Sequence, residues 1–171
     1  DACSGKNITT VNNTTDGTWL KYSFGNSFEY NEGKLLSTES GAGAVVSKTD
    51  TSTYELGKTG LPFQTPIAFS PQRSYVSAFS SEYIRPLKSS STNLDGVNFV
   101  STVNSFNEYA SPTSVTEASS LGYSRTNTVA YEHNLNNWVI GQTKSVTNVD
   151  TGKVVNRVVF DPVTALPLLS Y

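Results

Sequence analysis

The lone histidine and the lone cysteine limit the chemistry that this chain could perform. His133 is the only histidine and Cys3 is the only cysteine, which excludes a disulfide framework and a metal site built from His and Cys clusters. A Ser-His-Asp triad needs a positioned nucleophile, and the chain has no Gly-x-Ser-x-Gly elbow. Because His133 follows Tyr131-Glu132 at a predicted strand end, we interpret it as a surface or packing residue.

The carboxylates form two groupings that could also be functional. Glu29 and Glu32 flank a predicted turn, and retaining glycosidases need two carboxyl groups about 5 Å apart. The segment 150–152 (Asp-Thr-Gly) offers oxygen ligands for Ca²⁺, but this sequence is also typical of a hairpin turn. We interpret both groupings as turn residues and therefore expect no catalytic residue, no metal and no cofactor.

Composition narrows the class of protein further. Twelve Lys and Arg stand against fourteen Asp and Glu in 171 residues, so no basic stripe favours nucleic acid. No apolar run approaches the roughly 20 residues of a membrane-spanning helix, so we expect no membrane span. Abundant Ser, Thr and Asn, with nine Tyr and eight Phe, favour extended β-structure. The composition also resembles that of proteins that bacteria secrete or display at the cell surface.

The first half of the chain predicts strands of uneven quality. Residues 1–17 are polar and predict one short strand and a turn, while 18–171 form the main β region. A hairpin is predicted between 19–24 and 27–30, with Gly25-Asn26 as its two-residue link. Residues 40–72 look looser. Their three prolines (Pro62, Pro66 and Pro71) predict a longer excursion with edge strands at most.

The second half predicts a regular series of strands and turns. Turn residues occur at 93–96, 121–122 and 150–152. Alternation within 97–104, and from Trp138 to Val146, predicts one packed face and one partly wet face. The predicted strands are 74–79, 87–92, 97–106, 113–118, 124–132, 138–148 and 153–160.

A repeat of 24 to 31 residues organises these strands. Six anchor positions are followed or preceded by small, basic or hydroxyl residues, and an aromatic residue lies five to seven positions before five of them. Periods of this length are typical of arrays in which each unit packs on its neighbours. The anchors are Leu35, Pro62, Pro86, Pro112, Thr143 and Pro167, and the aromatic residues are Tyr30, Phe79, Phe106, Trp138 and Phe160.

These motifs resemble the bacterial Rhs/YD-repeat family, whose unit is approximately Tyr-Asp-x-x-Gly-Arg-Pro/Leu-x-Ser-Val-Thr. The resemblance is carried by segments 105–116, 138–147 and 160–168, and it covers 75–171 well and 18–74 more loosely. The Tyr-Asp pair is degenerate here, since only Phe160-Asp161 keeps the acid. Asp161-Pro162 is also similar to part of the family's self-cleaving motif, but the following glycines are absent, so we interpret it as a turn.

The resemblance implies an all-β fold of tandem antiparallel β-hairpins that form a curved sheet or a shell segment. It implies a structural, non-enzymatic role in a secreted or bacterial cell-surface protein, where the shell encloses another part of the polypeptide, often a toxin. Partners would be adjoining repeats of the same polypeptide, or like subunits that pair through open sheet edges. The first alternative is a self-contained adhesin or carbohydrate-binding β module with glycan partners, and the second is a small hydrolase.

Overall fold

The computed structural model describes residues 5–27, 31–55, 66–69 and 81–171, which form strands and turns without a helix. The strands are β1 (Lys6–Asn12), β2 (Thr18–Gly25), β3 (Leu35–Ala42), β4 (Val45–Tyr54), β5 (Pro66–Phe69), β6 (Ser81–Tyr83), β7 (Leu87–Leu94), β8 (Val97–Phe106), β9 (Pro112–Ser119), β10 (Ser124–Asn134), β11 (Val139–Asn148), β12 (Val154–Phe160) and β13 (Pro167–Ser170).

Eleven of these strands form one open antiparallel sheet. Neighbours in the sheet are neighbours along the chain, in the order β1-β2-β3-β4-β7-β8-β9-β10-β11-β12-β13. The short strands β5 and β6 pair separately within the long connection between β4 and β7. The predicted fold class, an all-β series of tandem antiparallel hairpins forming a curved sheet, is confirmed.

The meander places five links at one end of the sheet and the other five connections, which include the two longest, at the opposite end. We call the first the turn end, with links 13–17, 43–44, 95–96, 120–123 and 149–153, and the second the aromatic end. At the turn end Asp95 and Gly96 have φ angles of 50° and 84°. Two positive φ angles are what a two-residue type I′ hairpin requires, so the predicted turn at 93–96 is confirmed.

Within the described residues no second layer covers the sheet, so the expectation of one packed face is wrong for this part of the chain. Among the described residues, only Val103 and Ala165 are buried hydrophobic residues, at 8% and 4% exposure. Most other strand residues are half-exposed on whichever face they occupy. The alternation of β8 is present, but no second layer lies across the described sheet to cover its apolar positions.

The pattern expected from Trp138 to Val146 is also interrupted. Lys144 is an extra residue in β11, because Ser145 pairs with Ala130 while Thr143 pairs with Tyr131. A β-bulge of this kind shifts the following side chains to the opposite face. The five alternating residues predicted for one face therefore do not share it.

Two expectations for the first half are wrong. Gly25-Asn26 does not link a tight hairpin, since β2 pairs with β1 and β3, and β3 begins only at Leu35. The strand β4 is not an edge strand, because it pairs with β3 on one side and with β7 on the other. The longer excursion predicted over 40–72 occurs instead between β4 and β7, and the strand predicted over 74–79 lies outside the described residues.

Candidate functional site

The aromatic end carries a repeated pairing of an aromatic residue with an anchor. At each of the five connections of the aromatic end, an aromatic residue at or near the end of one strand is directly opposite a residue at or near the start of the following strand of the sheet. A β-bulge or register irregularity lies beside each pair, where the two strands take unequal numbers of residues. The pairs are Phe24–Leu35, Tyr54–Leu87, Phe106–Pro112, Tyr131–Thr143 and Phe160–Pro167.

These ten residues lie on one face of the sheet and form what we call the aromatic ladder. Directly paired residues of antiparallel strands point to the same face, and alternation along each strand carries the assignment from strand to strand. The five aromatic rings are all half-buried, although the sheet has no second layer in its described part. The rings are therefore partly buried by side chains of neighbouring strands and not by a layer packed on the sheet.

Tyrosine hydroxyls join one connection to the next. The hydroxyl of Tyr54 donates to the carbonyl oxygen of Leu35 at 3.0 Å, and the hydroxyl of Tyr131 donates to that of Pro112 at 2.7 Å. In both cases the tyrosine lies 19 residues after the anchor. Burial raises the pKa of Tyr131, so the neutral donor form is favoured. Each anchor thus contacts the aromatic residue before it and, in these two cases, the one after it.

A small residue with a positive φ angle lies two positions before four of the anchors. Gly33 and Gly141 have φ angles of 72° and 84°, and Ala110 and Ala165 have φ angles of 62° and 59°. This left-handed region is easily adopted by glycine and is strained for residues with a Cβ. At Gly33, Ala110 and Ala165 this residue lies in the turn just before the anchor, whereas Gly141 lies in the irregular start of β11.

Asn or Asp directly follows the aromatic residue at two connections and organises the turn. The Oδ1 atom of Asn107 accepts the backbone N–H groups of Tyr109 and Ser111 at 3.0 and 2.9 Å. The Oδ1 atom of Asp161 accepts those of Thr164 and Val163 at 2.7 and 2.8 Å.

The hydrogen bond from the Thr164 N–H, and then that from Val163, holds the pKa of Asp161 below its ordinary value. The Asx side chain satisfies turn N–H groups, which explains why Asn replaces Asp without loss of the turn. It also explains Asp161 as a turn residue, as its sequence suggested.

Lysine side chains lie over two of the aromatic rings. Lys34 Nζ is 5.4 Å from the centroid of Tyr54, and Lys88 Nζ is 5.6 Å from that of Phe106. Lys88 also pairs with the buried carboxylate of Glu55 at 3.2 Å. These contacts add cation–π attraction at the aromatic end, and the ion pair attaches the start of the long excursion to β7.

Some of the predicted anchors and aromatic residues belong to the ladder, and others do not. Leu35, Pro112, Thr143 and Pro167 stand in the ladder with Phe106 and Phe160, while Pro86 directly precedes the ladder residue Leu87. Trp138 is not opposite Thr143; it is 84% exposed in the turn 135–138. Pro62, Tyr30 and Phe79 lie outside the described residues.

Sequence reasoning missed four ladder residues, Phe24, Leu87, Tyr54 and Tyr131, although the predicted anchor Pro86 is the neighbour of Leu87. The 19-residue spacing from anchor to following aromatic residue could have found the last two, because it separates Leu35 from Tyr54 and Pro112 from Tyr131, and also Leu87 from Phe106. This spacing is the length of one strand, a short turn and one strand. The spacing across a hairpin, from an anchor to the next aromatic residue, is therefore a stronger repeat signal than the spacing from an aromatic residue to the anchor after it.

His133 packs against two tyrosine rings beside the ladder. Its ring lies 4.6 Å from that of Tyr109 and 6.3 Å from that of Tyr131, between centroids. Its Nδ1 atom accepts the backbone N–H of Gly141 at 3.0 Å. This acceptor role uses the lone pair that a general base needs, so the imidazole positions β11 against β10.

The predicted carboxylate groupings do not assemble into a metal site in the described part of the chain. Over 5–27, 31–55, 66–69 and 81–171 there is no group of three or more His, Cys, Asp or Glu that could hold a metal ion. Asp150 lies in the turn between β11 and β12, where Asn148 Oδ1 accepts the N–H of Thr151 at 2.9 Å. Glu29 lies outside the described residues, so its spacing to Glu32 stays a prediction.

The face opposite the ladder is dominated by hydroxyl groups. Thr51 and Ser91 are joined across β4 and β7 at 2.7 Å, and Thr53 and Ser89 at the same distance. Cross-strand hydroxyl pairs stabilise a sheet modestly, and they leave this face polar. Further pairs on neighbouring strands are Thr116–Thr126 and Asn104–Thr116.

Comparison of the chain with protein-family models, with curated proteins and with solved structures finds no match. Within the described residues, no helix has the length and apolar character needed to cross a membrane. The function is therefore inferred from the sheet and from the residues at its aromatic end.

Proposed function

We propose that this chain is a structural, non-enzymatic wall segment of a secreted or cell-surface protein that resembles the Rhs/YD-repeat family. In this proposal its sheet encloses or presents another part of the polypeptide. The observation that supports it best is the aromatic ladder in a single-layer sheet. Each hairpin contributes one or two ladder residues, and none of the described hairpins has an interior of its own.

The distribution of polar groups fits a wall better than a site. One face is lined by hydroxyl pairs, and ion pairs such as Glu117 with Arg125 at 2.6 Å lie exposed on the sheet. A curved, hydrogen-bonded sheet can separate two aqueous compartments. The residues that could do chemistry, His133 and Asp161, are instead engaged in turn and ladder contacts.

Protease protection of the complete native polypeptide tests this role. An antibody against the chain would first recover that polypeptide from the culture medium and the cell-surface fraction of the producing cells. We expect a longer polypeptide in which a second region resists protease until the wall is loosened by Tyr54→Ala with Tyr131→Ala. The matched control is Phe99→Ala, which removes an exposed ring from the same sheet. Recovery only from the cytosol, or a second region that is cleaved equally in all variants, would contradict the proposal.

One observation favours the binding module as a second candidate. Trp138 is 84% exposed and has a φ angle of 54°, which is strained for a bulky residue. Leu135 and Asn136 of the same turn line a pocket with Arg157, and an exposed indole near polar groups can stack on a sugar. Trp19 is a matched control, because its Nε1 atom is tied to the carbonyl of Gly43 at 3.0 Å.

Glycan-array binding by the 171-residue chain decides between the two candidates. Under the second candidate, Trp138→Ala abolishes binding without changing the unfolding midpoint, whereas Trp19→Ala retains it. Absence of binding on the array, or equal loss in both variants, removes the second candidate.

A further inference from the structure

The two edges of the main sheet are protected to different degrees. At one edge β13 is only four residues long and begins with Pro167, and short strands and proline are common ways to block edge pairing. At the other edge β1 is seven residues long, fully exposed and free of proline, with Lys6 as its only charged residue. Among the described strands none lies beside the outer edge of β1, so its backbone groups can accept another strand.

The hydrogen-bond pattern shows which backbone groups of β1 are available. The N–H of Asn13 donates to the carbonyl oxygen of Thr18 at 2.8 Å. Alternation in an antiparallel pair then directs the odd-numbered residues of β1 towards β2. The outward N–H and C=O groups belong to Lys6, Ile8, Thr10 and Asn12.

We propose that β1 pairs antiparallel with β1 of a second copy of this chain, about a two-fold axis at Thr9. In this register Ile8 faces Thr10 and Lys6 faces Asn12, so the outward groups of all four residues meet in hydrogen-bonded pairs. Four facing pairs with two bonds each give about eight hydrogen bonds. The interface is isologous, as expected for a C2 dimer.

Side-chain complementarity favours this occupant over others. The two Lys6 side chains lie at opposite ends of the paired strands, so no like charges face each other across the axis. Ile8, which is 58% exposed, gains a β-branched cross-strand neighbour in Thr10. A head-to-tail contact between β13 and β1 that kept the ladder on one face would be parallel, because ten antiparallel steps separate these two strands and leave them pointing the same way.

This inference does not rest on the proposed wall function, since it uses only the edge of the sheet. A single added strand buries less surface than a standard stable interface, so the dimer is expected to be weak and concentration-dependent. The mass measured by sedimentation equilibrium should rise from 18.5 kDa towards twice that value. Protein concentrations up to about 0.5 mM are needed to detect an association this weak.

Proline and valine at position 10 form the matched pair of variants. Thr10→Pro removes an outward N–H that the fold of one copy does not use, because proline is tolerated on edge strands, and we expect it to keep the chain monomeric. Thr10→Val keeps the N–H and the β-branched shape, so we expect it to dimerise like the parent chain. Equal unfolding midpoints at low protein concentration verify that both variants fold.

Disulfide trapping gives an independent readout of the register. In a Cys3→Ser background, Thr9→Cys places two thiols across a non-hydrogen-bonded pair, where the Cα atoms are about 4.5 Å apart and a disulfide can form. Val11→Cys is the control, since in this register Val11 faces Asn7 and not itself. A strict monomer at all concentrations would overturn the proposal, as would dimerisation that survives Thr10→Pro or equal crosslinking of the two cysteine variants.

Discussion

The aromatic end and the turn end of the sheet are stabilised in different ways. At the aromatic end, five half-buried rings pair with anchors beside β-bulges, and tyrosine hydroxyls join successive connections. At the turn end, the links are short, and apolar residues such as Leu94 and Phe99 remain 45% and 47% exposed. The same eleven strands thus have concentrated lateral packing at one end and mainly local turn geometry at the other.

The difference shows how a single layer can be held together. A sheet without a covering layer cannot bury either face, so hydrophobic stabilisation must come from neighbours within the layer. At the aromatic end, the bulges bring an aromatic residue and an anchor into one row. Register shifts also occur near the turn end, beside Gly41 and Thr147, but apolar side chains such as Leu94 and Phe99 stay exposed there.

The largest expected difference in stability is between two variants that each lose one aromatic ring, one at the aromatic end and one near the turn end. Tyr131→Ala should lower the free energy of unfolding by about 2 to 3 kcal/mol, because it deletes half-buried apolar surface and leaves the Pro112 carbonyl without its donor. Phe99→Ala should cost less than about 1 kcal/mol, since that ring is already largely exposed. Urea unfolding followed by circular dichroism measures both values.

Tyr54→Ala repeats the test at another position of the ladder. It should resemble Tyr131→Ala, because the same hydroxyl contact reaches the anchor 19 residues before it. Equal losses for Phe99→Ala and the two tyrosine variants would remove the distinction between the ends of the sheet.

The local features of the fold could be predicted from the sequence. The predicted strand 97–106 matches the bounds of β8, and the Asp95-Gly96 turn was expected from residue type alone. Both depend on the preferences of adjacent residues, which act in every context. Six of the seven strands predicted in the second half correspond to β7 to β12 within a few residues.

Features that depend on strand pairing could not be predicted in the same way. The sequence assigns Trp138 to Thr143 as the aromatic residue five positions before it, but the register of β10 and β11 places Tyr131 opposite Thr143, because Lys144 forms a bulge. The position of β4 inside the sheet likewise depends on β7, which follows 32 residues later. The expected packed face assumed a second layer, and nothing in the alternation of a strand says whether one exists.

The Asx turn at the aromatic end provides the second test. Asn107→Ala should cost about 1 to 2 kcal/mol, because two backbone N–H groups lose their acceptor. Asn107→Asp keeps the acceptor and matches Asp161 at the equivalent connection, so it should stay close to the parent chain above pH 5. If both variants lose the same stability, the side-chain acceptor does not organise this turn.

The hydroxyl of Tyr131 gives the third test. Tyr131→Phe should cost about 1 kcal/mol through the lost hydrogen bond to Pro112. The raised pKa of Tyr131 contributes stability that is fully present below the unfolded tyrosine pKa of about 10 and is lost as pH rises through the folded pKa. The stability of the parent chain should therefore fall more steeply above pH 10 than that of the variant. Parallel pH profiles for the two proteins would exclude this contribution.

The smallest effect is expected at the strained small residue of the repeat, where a substitution should stabilise the chain. Ala110 has a φ angle of 62°, so Ala110→Gly relieves strain but makes the unfolded chain more flexible. We expect the relief of strain to outweigh the added flexibility, so that the free energy of unfolding rises by about 0.5 kcal/mol. At Ala118, inside β9 with ordinary strand geometry, the same substitution should destabilise by about 0.5 to 1 kcal/mol. Opposite signs for two Ala→Gly substitutions 8 residues apart would show that the turn before the anchor, and not strand propensity, sets the residue type there; a loss at both positions would contradict this.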